Sequence, residues 1–168
     1  WDHAEELKNL SRDINTEGLV IKDKNSKYLP GRKKGNWWKY KVDPMQLDGI
    51  LIYARPGSGK RANLFTDYSF AIWDNKNLVK FANAYSGLSN QEINELDKWI
   101  RKNTLERFGP VRSVKPELVF EISFDGIQLS KRHKSGFALR FPRITKWRKD
   151  KNLMDADNLE NALKLIEN

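Results

Sequence analysis

The chain has 168 residues, 39% hydrophobic and 11% aromatic, enough for one packed domain with a smaller piece beside it, which excludes a disordered tail. Cysteine is absent, which excludes disulfides, thiolate metal sites and a cysteine nucleophile, and two histidines, His3 and His133, leave little histidine chemistry. Lysine and arginine (31) exceed aspartate and glutamate (22) by nine, no apolar run is long enough to cross a membrane, and "WDHAEELKNL" lacks a signal-peptide pattern, so the expectation is a soluble cytoplasmic protein with no membrane partner.

Ala4, Leu7, Leu10 and Ile14 fall at helical spacing and predict a short amphipathic helix over Asp2 to Ile14. "EGLVIKD" follows as a strand built around Val20 and Ile21, then "NSKYLPGRKKGN" as a loop and "WWKYKV" as a second strand. Asp43-Pro44 punctuates the chain, and a domain boundary is placed there, giving residues 1–43 and 44–168. Beyond it, "LDGILIYA", "NLFTDYSFAIWD" and "NLVKFANAY" read as three strands. Ser89 with Glu92 fits a capping box ahead of a helix bearing Ile93, Leu96 and Ile100, with Gly109-Pro110 as its expected stop. "ELVFEISFDGIQL" and "GFALRFPRI" supply two more strands, and Leu159, Leu163 and Ile166 mark a final helix. Five strands with a helix between the third and fourth is the element order of an OB-fold barrel, whose face and loops commonly bind nucleic acid.

The charge is uneven. Lys22 to Lys41 carries eight basic residues against one acid, and Lys131 to Lys151 carries nine against one. Large rings interleave with these cations in "NWWKYK" and "RFPRITKWRK", as in sites that hold bases and phosphates together. "RPGSGKRAN" invites comparison with a P-loop, but Ala54 stands at its first glycine position, Arg61 follows Lys60, and the next segment alternates as a strand. It reads instead as a turn between the first two barrel strands, with Lys60 and Arg61 as tip cations for a nucleic-acid backbone.

Three segments carry candidate chemistry. Glu17, at the mouth of the first strand, can offer oxygen to a hard cation such as Mg²⁺, although a solvated strand-end glutamate is the ordinary explanation. Strict alternation puts Glu17, Leu19 and Ile21 on one side and Gly18, Val20 and Lys22 on the other. Lys39 and Lys41, two apart on a strand, point to one face, where a bound phosphate would relieve their repulsion. Arg140, Arg143, Lys146, Arg148, Lys149 and Lys151 form a basic edge that serves either a phosphate or plain solvation.

In this order, "EGLVIKD", "WWKYK" and "RFPRITKWRKDK" resemble motifs IV, V and VI of the ATP-dependent DNA ligases, within the covalent nucleotidyltransferase superfamily that also holds RNA ligases and capping enzymes. "LDGILIYARPGSGKRANLFTDYSFAIWD" and "FGPVRSVKPELVFEISFDGIQLSKRHKSGFALRFPR" resemble the OB domain of their bacterial form, found with repair nucleases and helicases. The resemblance implies a mainly β chain with helices, in which the C-terminal fragment of an α+β adenylation domain precedes a five-stranded OB-fold barrel. It implies that Glu17 positions the catalytic metal, and that Lys22, Lys39 and Lys41 bind ATP and then AMP, with Lys39 and Lys41 on the α-phosphate. Arg148, Asp150 and Lys151 would close over ATP and orient the pyrophosphate leaving group, while Asp43 would be the hinge. Lys60, Arg61, Arg132, Arg140 and Arg143 would meet nicked double-stranded DNA. ATP and Mg²⁺ are the implied cofactors, and a monomer that associates with repair nucleases or helicases is the expectation.

The motif I sequence K-x-D-G, whose lysine becomes adenylated, does not occur in this sequence; "KVDP" at Lys41 lacks its glycine. The expectation is therefore the C-terminal part of a larger ligase, inactive alone in self-adenylation. Two other readings stay open at this point: an OB-type nucleic-acid-binding module with no catalytic role, and a nucleotidyltransferase of RNA-ligase or capping type.

Overall fold

The computed structural model describes residues 3–14 and 16–167, which divide into two units, one ending at Pro44 and the other running from Met45 to Glu167. Asp2, the expected start of the first helix, lies outside the described residues.

In the first unit, α1 (Ala4–Asp13) precedes an antiparallel hairpin of β1 (Gly18–Lys22) and β2 (Trp37–Lys41). The helix forms where the 3.6-residue spacing predicts it, but the stripe is not its covered side. Leu7, Leu10 and Ile14 are exposed, whereas Ser11 is buried, its hydroxyl donating to Leu7 O at 3.1 Å. Polar side chains link the helix to β2: Tyr40 donates its hydroxyl to Glu5, and Lys8 lies 4.9 Å from the centre of the Tyr40 ring.

The second unit begins with β3 (Met45–Pro56), β4 (Phe65–Asp74) and β5 (Asn77–Ala84), followed by α2 (Asn90–Lys102). The strands β6 (Thr104–Phe108), β7 (Val111–Val114), β8 (Val119–Phe124), β9 (Gly126–Leu129), β10 (Phe137–Arg140) and β11 (Arg143–Trp147) come next, and α3 (Leu159–Glu167) closes the order. The main sheet runs β11-β8-β3-β4-β5, and the hairpin of β6 and β7 joins β3 at Tyr53 and Ala54. Twisted strands of this length curl, and the sheet closes far enough for the Ile144 amide to donate to Ser86 O at 3.0 Å, bringing the start of β11 beside the end of β5. The result is a mainly β, curled half-barrel in the OB strand order. Phe70, Phe120, Phe124 and Phe137 fill it, with Trp147 stacked 5.3 Å from Phe120. Burying each of these rings contributes about 2–3 kcal/mol.

Differences from the sequence expectation have local causes. Ser89 and Glu92 do form a capping box, with the Ser89 amide and hydroxyl both donating to Glu92 Oε2. The helix they start stops at Lys102, however, because Asn103 caps it, its amide donating to Trp99 O and Ile100 O, and Thr104 to Phe108 pairs with β7; Gly109-Pro110 is the turn between β6 and β7. "ELVFEISFDGIQL" breaks at Asp125 into β8 and β9, and "GFALRFPRI" breaks at Phe141, whose φ of 52° lies in the left-handed region, into β10 and β11. Strands β9 and β10 then pair with each other as a separate hairpin.

Candidate phosphate-handling site

The hairpin of the first unit adds a third cation to the face that spacing gives Lys39 and Lys41. Its register pairs Gly18 with Lys41, Val20 with Lys39 and Lys22 with Trp37, and residues directly opposite in an antiparallel pair share a face. Lys22, Lys39 and Lys41 therefore stand on one face with Trp37. Tyr40, on the other face, is the residue joined to α1. The Lys22 ammonium sits 4.2 Å from the centre of the Trp37 ring, which in turn lies 5.4 Å from Tyr28 and donates its indole N–H to Ser26 Oγ at 3.0 Å. The ring attracts the ammonium through its quadrupole without neutralising its charge, so the cation can still meet an anion.

Glu17 corrects the alternation expected for it. Gly18 has φ +128°, a conformation that L side chains rarely adopt, so the period of two does not run back through it. The Glu17 carboxylate consequently lies 3.6 Å from the Lys41 ammonium, while the Glu17 carbonyl accepts from the Val42 amide at 3.1 Å. Among the described residues no group of three or more His, Cys, Asp or Glu gathers as a metal cage.

In the second unit the cations that follow β11 are engaged by carboxylates. Arg148 donates Nη1 to Asp48 Oδ2 at 3.1 Å and presents Nε and Nη2 together to Asp150, at 3.0 and 2.7 Å. This fork holds the Asp150 carboxyl well below the usual carboxylate range, and Asp150, with Asp48 and Glu121 nearby, raises the guanidinium above its ordinary value. Lys151 donates a short hydrogen bond to the same Asp48 oxygen. Neighbouring Lys149 is bound to Glu95 at 2.7 Å and lies over Trp147. Asp48 is the residue that sequence reasoning missed. An acid inside the apolar run "LDGILI" was the available signal, because a buried carboxylate requires a partner.

The expected DNA contacts are spread over two loops of the second unit and the facing ends of β10 and β11. Lys60 is exposed in a 3-10 turn, Gly59–Arg61, closed by the Gly57 amide donating to Leu64 O at 2.9 Å. Arg61 donates to Asn90 Oδ1 at 2.9 Å. Arg132 is exposed in the turn between β9 and β10, beside His133, whose Nδ1 lies 2.9 Å from Ser130 Oγ. Arg140 lies over the Phe141 ring, and Arg143 is bound to Asp125 at 2.9 Å.

Comparison with known proteins gives these features a family. The model for the ATP dependent DNA ligase C terminal region matches residues 61–151, more than half of the chain, and the ATP dependent DNA ligase domain matches residues 1–41. The chain belongs to the ATP-dependent DNA ligases. A probable DNA ligase of Koribacter versatilis is 43% identical over 164 residues, covering 96% of this chain and 28% of the relative. A DNA ligase of Methanococcus maripaludis is 32% identical over 165 residues, covering 98% and 29%. The chain thus spans under a third of the length of these relatives. The ligase domain of LigD from M. tuberculosis shares the fold, with a TM-score of 0.58 at 22% identity over 89% of this chain and 50% of that one. As the family's description states, these ligases depend on ATP. No described helix is long and apolar enough to cross a membrane.

Proposed function

We propose that this chain supplies the phosphate-handling hairpin and the DNA-gripping OB domain of an enzyme that seals nicks in duplex DNA at the expense of ATP. Residues 1–43 serve as the end of the adenylation domain and residues 44–168 as the OB domain. In such a reaction a lysine nitrogen of the enzyme forms a bond to the α-phosphorus of ATP as the bond to pyrophosphate breaks. The AMP then moves to the 5′-phosphate of the nick, and the 3′-hydroxyl displaces it. Each step passes charge onto phosphoryl oxygens, so fixed cations supply much of the rate.

The observation that carries this reading is the hairpin register, which sets Lys22, Lys39 and Lys41 on one face. Three ammonium groups there suit a phosphate that must be held while its bonds change. Lys39 and Lys41 are assigned to the α-phosphate and Lys22 to the remainder of the nucleotide. Magnesium fits the donor set only as an ion that keeps its waters and takes phosphate oxygens, with Glu17 as the carboxylate beside it. When bound it would polarise the phosphoryl group.

Arg148, Asp150 and Lys151 are assigned to the pyrophosphate end. Asp150 is about half exposed, 53% at its side chain, so water can take up its carboxylate when a phosphate replaces it on Arg148. Lys60, Arg61, Arg132, Arg140 and Arg143 are assigned to the DNA backbone, which carries no sequence information.

The test is ATP-dependent sealing of a 5′-phosphorylated nick by the ligase containing this chain. Sealing with ATP, and its loss in Lys39→Ala, is the expected result. A purified enzyme that binds nicked duplex without ever sealing it would replace this reading with that of a binding module.

A further inference from the structure

Arg148 and Lys151 leave β11 in a tight turn, the Lys151 amide donating to Arg148 O at 3.1 Å, and the turn delivers both cations to one carboxylate. We propose that Asp48 is a positioning residue for the ATP reaction: it holds Arg148 and Lys151 together as the pair that receives the pyrophosphate end of ATP. This rests on the assignment of Arg148 and Lys151 to that end.

Burial separates the two acids that Arg148 hydrogen-bonds, Glu121 being a longer ion pair at 3.9 Å from the same Nη1 that meets Asp48. Asp48 is 7% exposed, and the Arg148 and Lys151 side chains that cover it are 18% and 29% exposed. Moving both cations away would leave a buried carboxylate unpaired, which is strongly unfavourable. The Asp48 contacts are therefore the permanent ones, and the exposed Asp150 contact is the one a phosphate replaces.

The backbone under Asp48 is fixed as well. Its amide donates to Asp157 Oδ2 at 2.7 Å, and its carbonyl accepts from the Asp157 amide at 2.9 Å. Asp157 also joins the neighbouring strand, its carbonyl accepting from the Trp73 amide at 3.0 Å. The segment before α3 thus braces β3 at the residue that anchors the two cations. Two like charges on one turn repel unless an anion lies between them. Asp48 supplies that anion and takes only Nη1 of Arg148, so the Nε and Nη2 fork remains aimed outward, the geometry that matches a phosphate.

The experiment uses the ligase containing this chain and separates two steps: enzyme-AMP formation from ATP, and sealing of a nick that already carries 5′-AMP. Asp48→Asn keeps the shape and removes the charge. It should slow enzyme-AMP formation about tenfold or more while changing sealing of the pre-adenylated nick by about twofold at most, because the second reaction has no pyrophosphate to orient. Asp48→Glu should recover part of the first rate. Normal enzyme-AMP formation in Asp48→Asn, alongside a defect in Arg148→Ala, overturns the proposal and leaves the Arg148 assignment standing. Normal rates in both variants remove that assignment, and the proposal with it. Equal slowing of both steps by Asp48→Asn makes Asp48 merely structural and also overturns it. If Asp48→Asn fails to melt cooperatively, Asp157→Asn carries the test: it keeps the Asp48 carboxylate but weakens its brace, and a smaller defect confined to enzyme-AMP formation is expected. No defect there, or slowing of both steps, contradicts the proposal.

Discussion

A Cβ placed on Gly18 would lie 2.2 Å from the carbonyl oxygen of Tyr40. Backbone atoms cannot yield at that distance, and the φ of +128° is itself a strain of about 1–3 kcal/mol for a residue with a side chain. Gly18→Ala should therefore unpair the start of β1 from the end of β2, freeing Glu17 from its place beside Lys41. Hydrogen exchange at the Val42 amide, which donates to Glu17 O, should become fast, and enzyme-AMP formation by the ligase should fall with it. Unchanged protection at Val42 would contradict this role for Gly18.

The loop carrying Lys60 and Arg61 makes a separate prediction about DNA. Both cations are exposed on a 3-10 turn, and neither touches the carboxylates that hold Arg148. Replacing both with Ala should weaken binding to nicked duplex and lower the dependence of log K on log salt by about one for each DNA phosphate no longer neutralised. Enzyme-AMP formation should stay at the wild-type rate. Fluorescence anisotropy across a NaCl series reads the slope, and an unchanged slope would remove this loop from the DNA interface.

The capping box at the start of α2 predicts a stability change with a definite pH dependence. Ser89→Ala removes an N-cap and should cost about 1 kcal/mol in urea unfolding at neutral pH. Hydrogen bonds from the Ser89 hydroxyl and amide lower the Glu92 pKa from its ordinary 4.5. A lowered carboxylate pKa gives stability that is present above the unfolded value and is lost as pH falls through the folded one. The gap between wild type and Ser89→Ala should therefore shrink in acid; a gap that widens would contradict the cap.

Asp97 should matter more than Ser89. It is 6% exposed on α2, accepts from the Phe65 amide at 3.0 Å and is paired with Arg101 at 2.7 Å. Asp97→Ala leaves a buried amide without its acceptor and should cost about 2–3 kcal/mol by the same unfolding measurement. Asp97→Asn, which keeps an oxygen in place, should cost less.

What was legible in the sequence was local. Ser89 and Glu92 announce a helix start because both partners lie within one turn, and the β-branched and aromatic runs of β3, β4 and β5 announce three successive strands. The covered side of α1 was not legible, since an apolar stripe says which residues share a face and not which face is covered. Asp48 was illegible for another reason: its partners Arg148 and Lys151 are 100 and 103 positions away in the chain. Lys22 could be placed with Lys39 and Lys41 only once the hairpin register was known, and Glu17 only once Gly18 was seen to break the alternation.

Assignment of the Lys22, Lys39 and Lys41 face to the phosphate that ATP contributes is open to direct measurement. Its most direct test follows the label of α-³²P ATP in the ligase containing this chain, first onto protein and then onto the 5′ end of a nick, in wild type and in Lys39→Ala. Wild type should pass the label through both species, and Lys39→Ala, still folded, should be blocked at one of these transfers. Wild-type transfer of label by Lys39→Ala through both steps would contradict it.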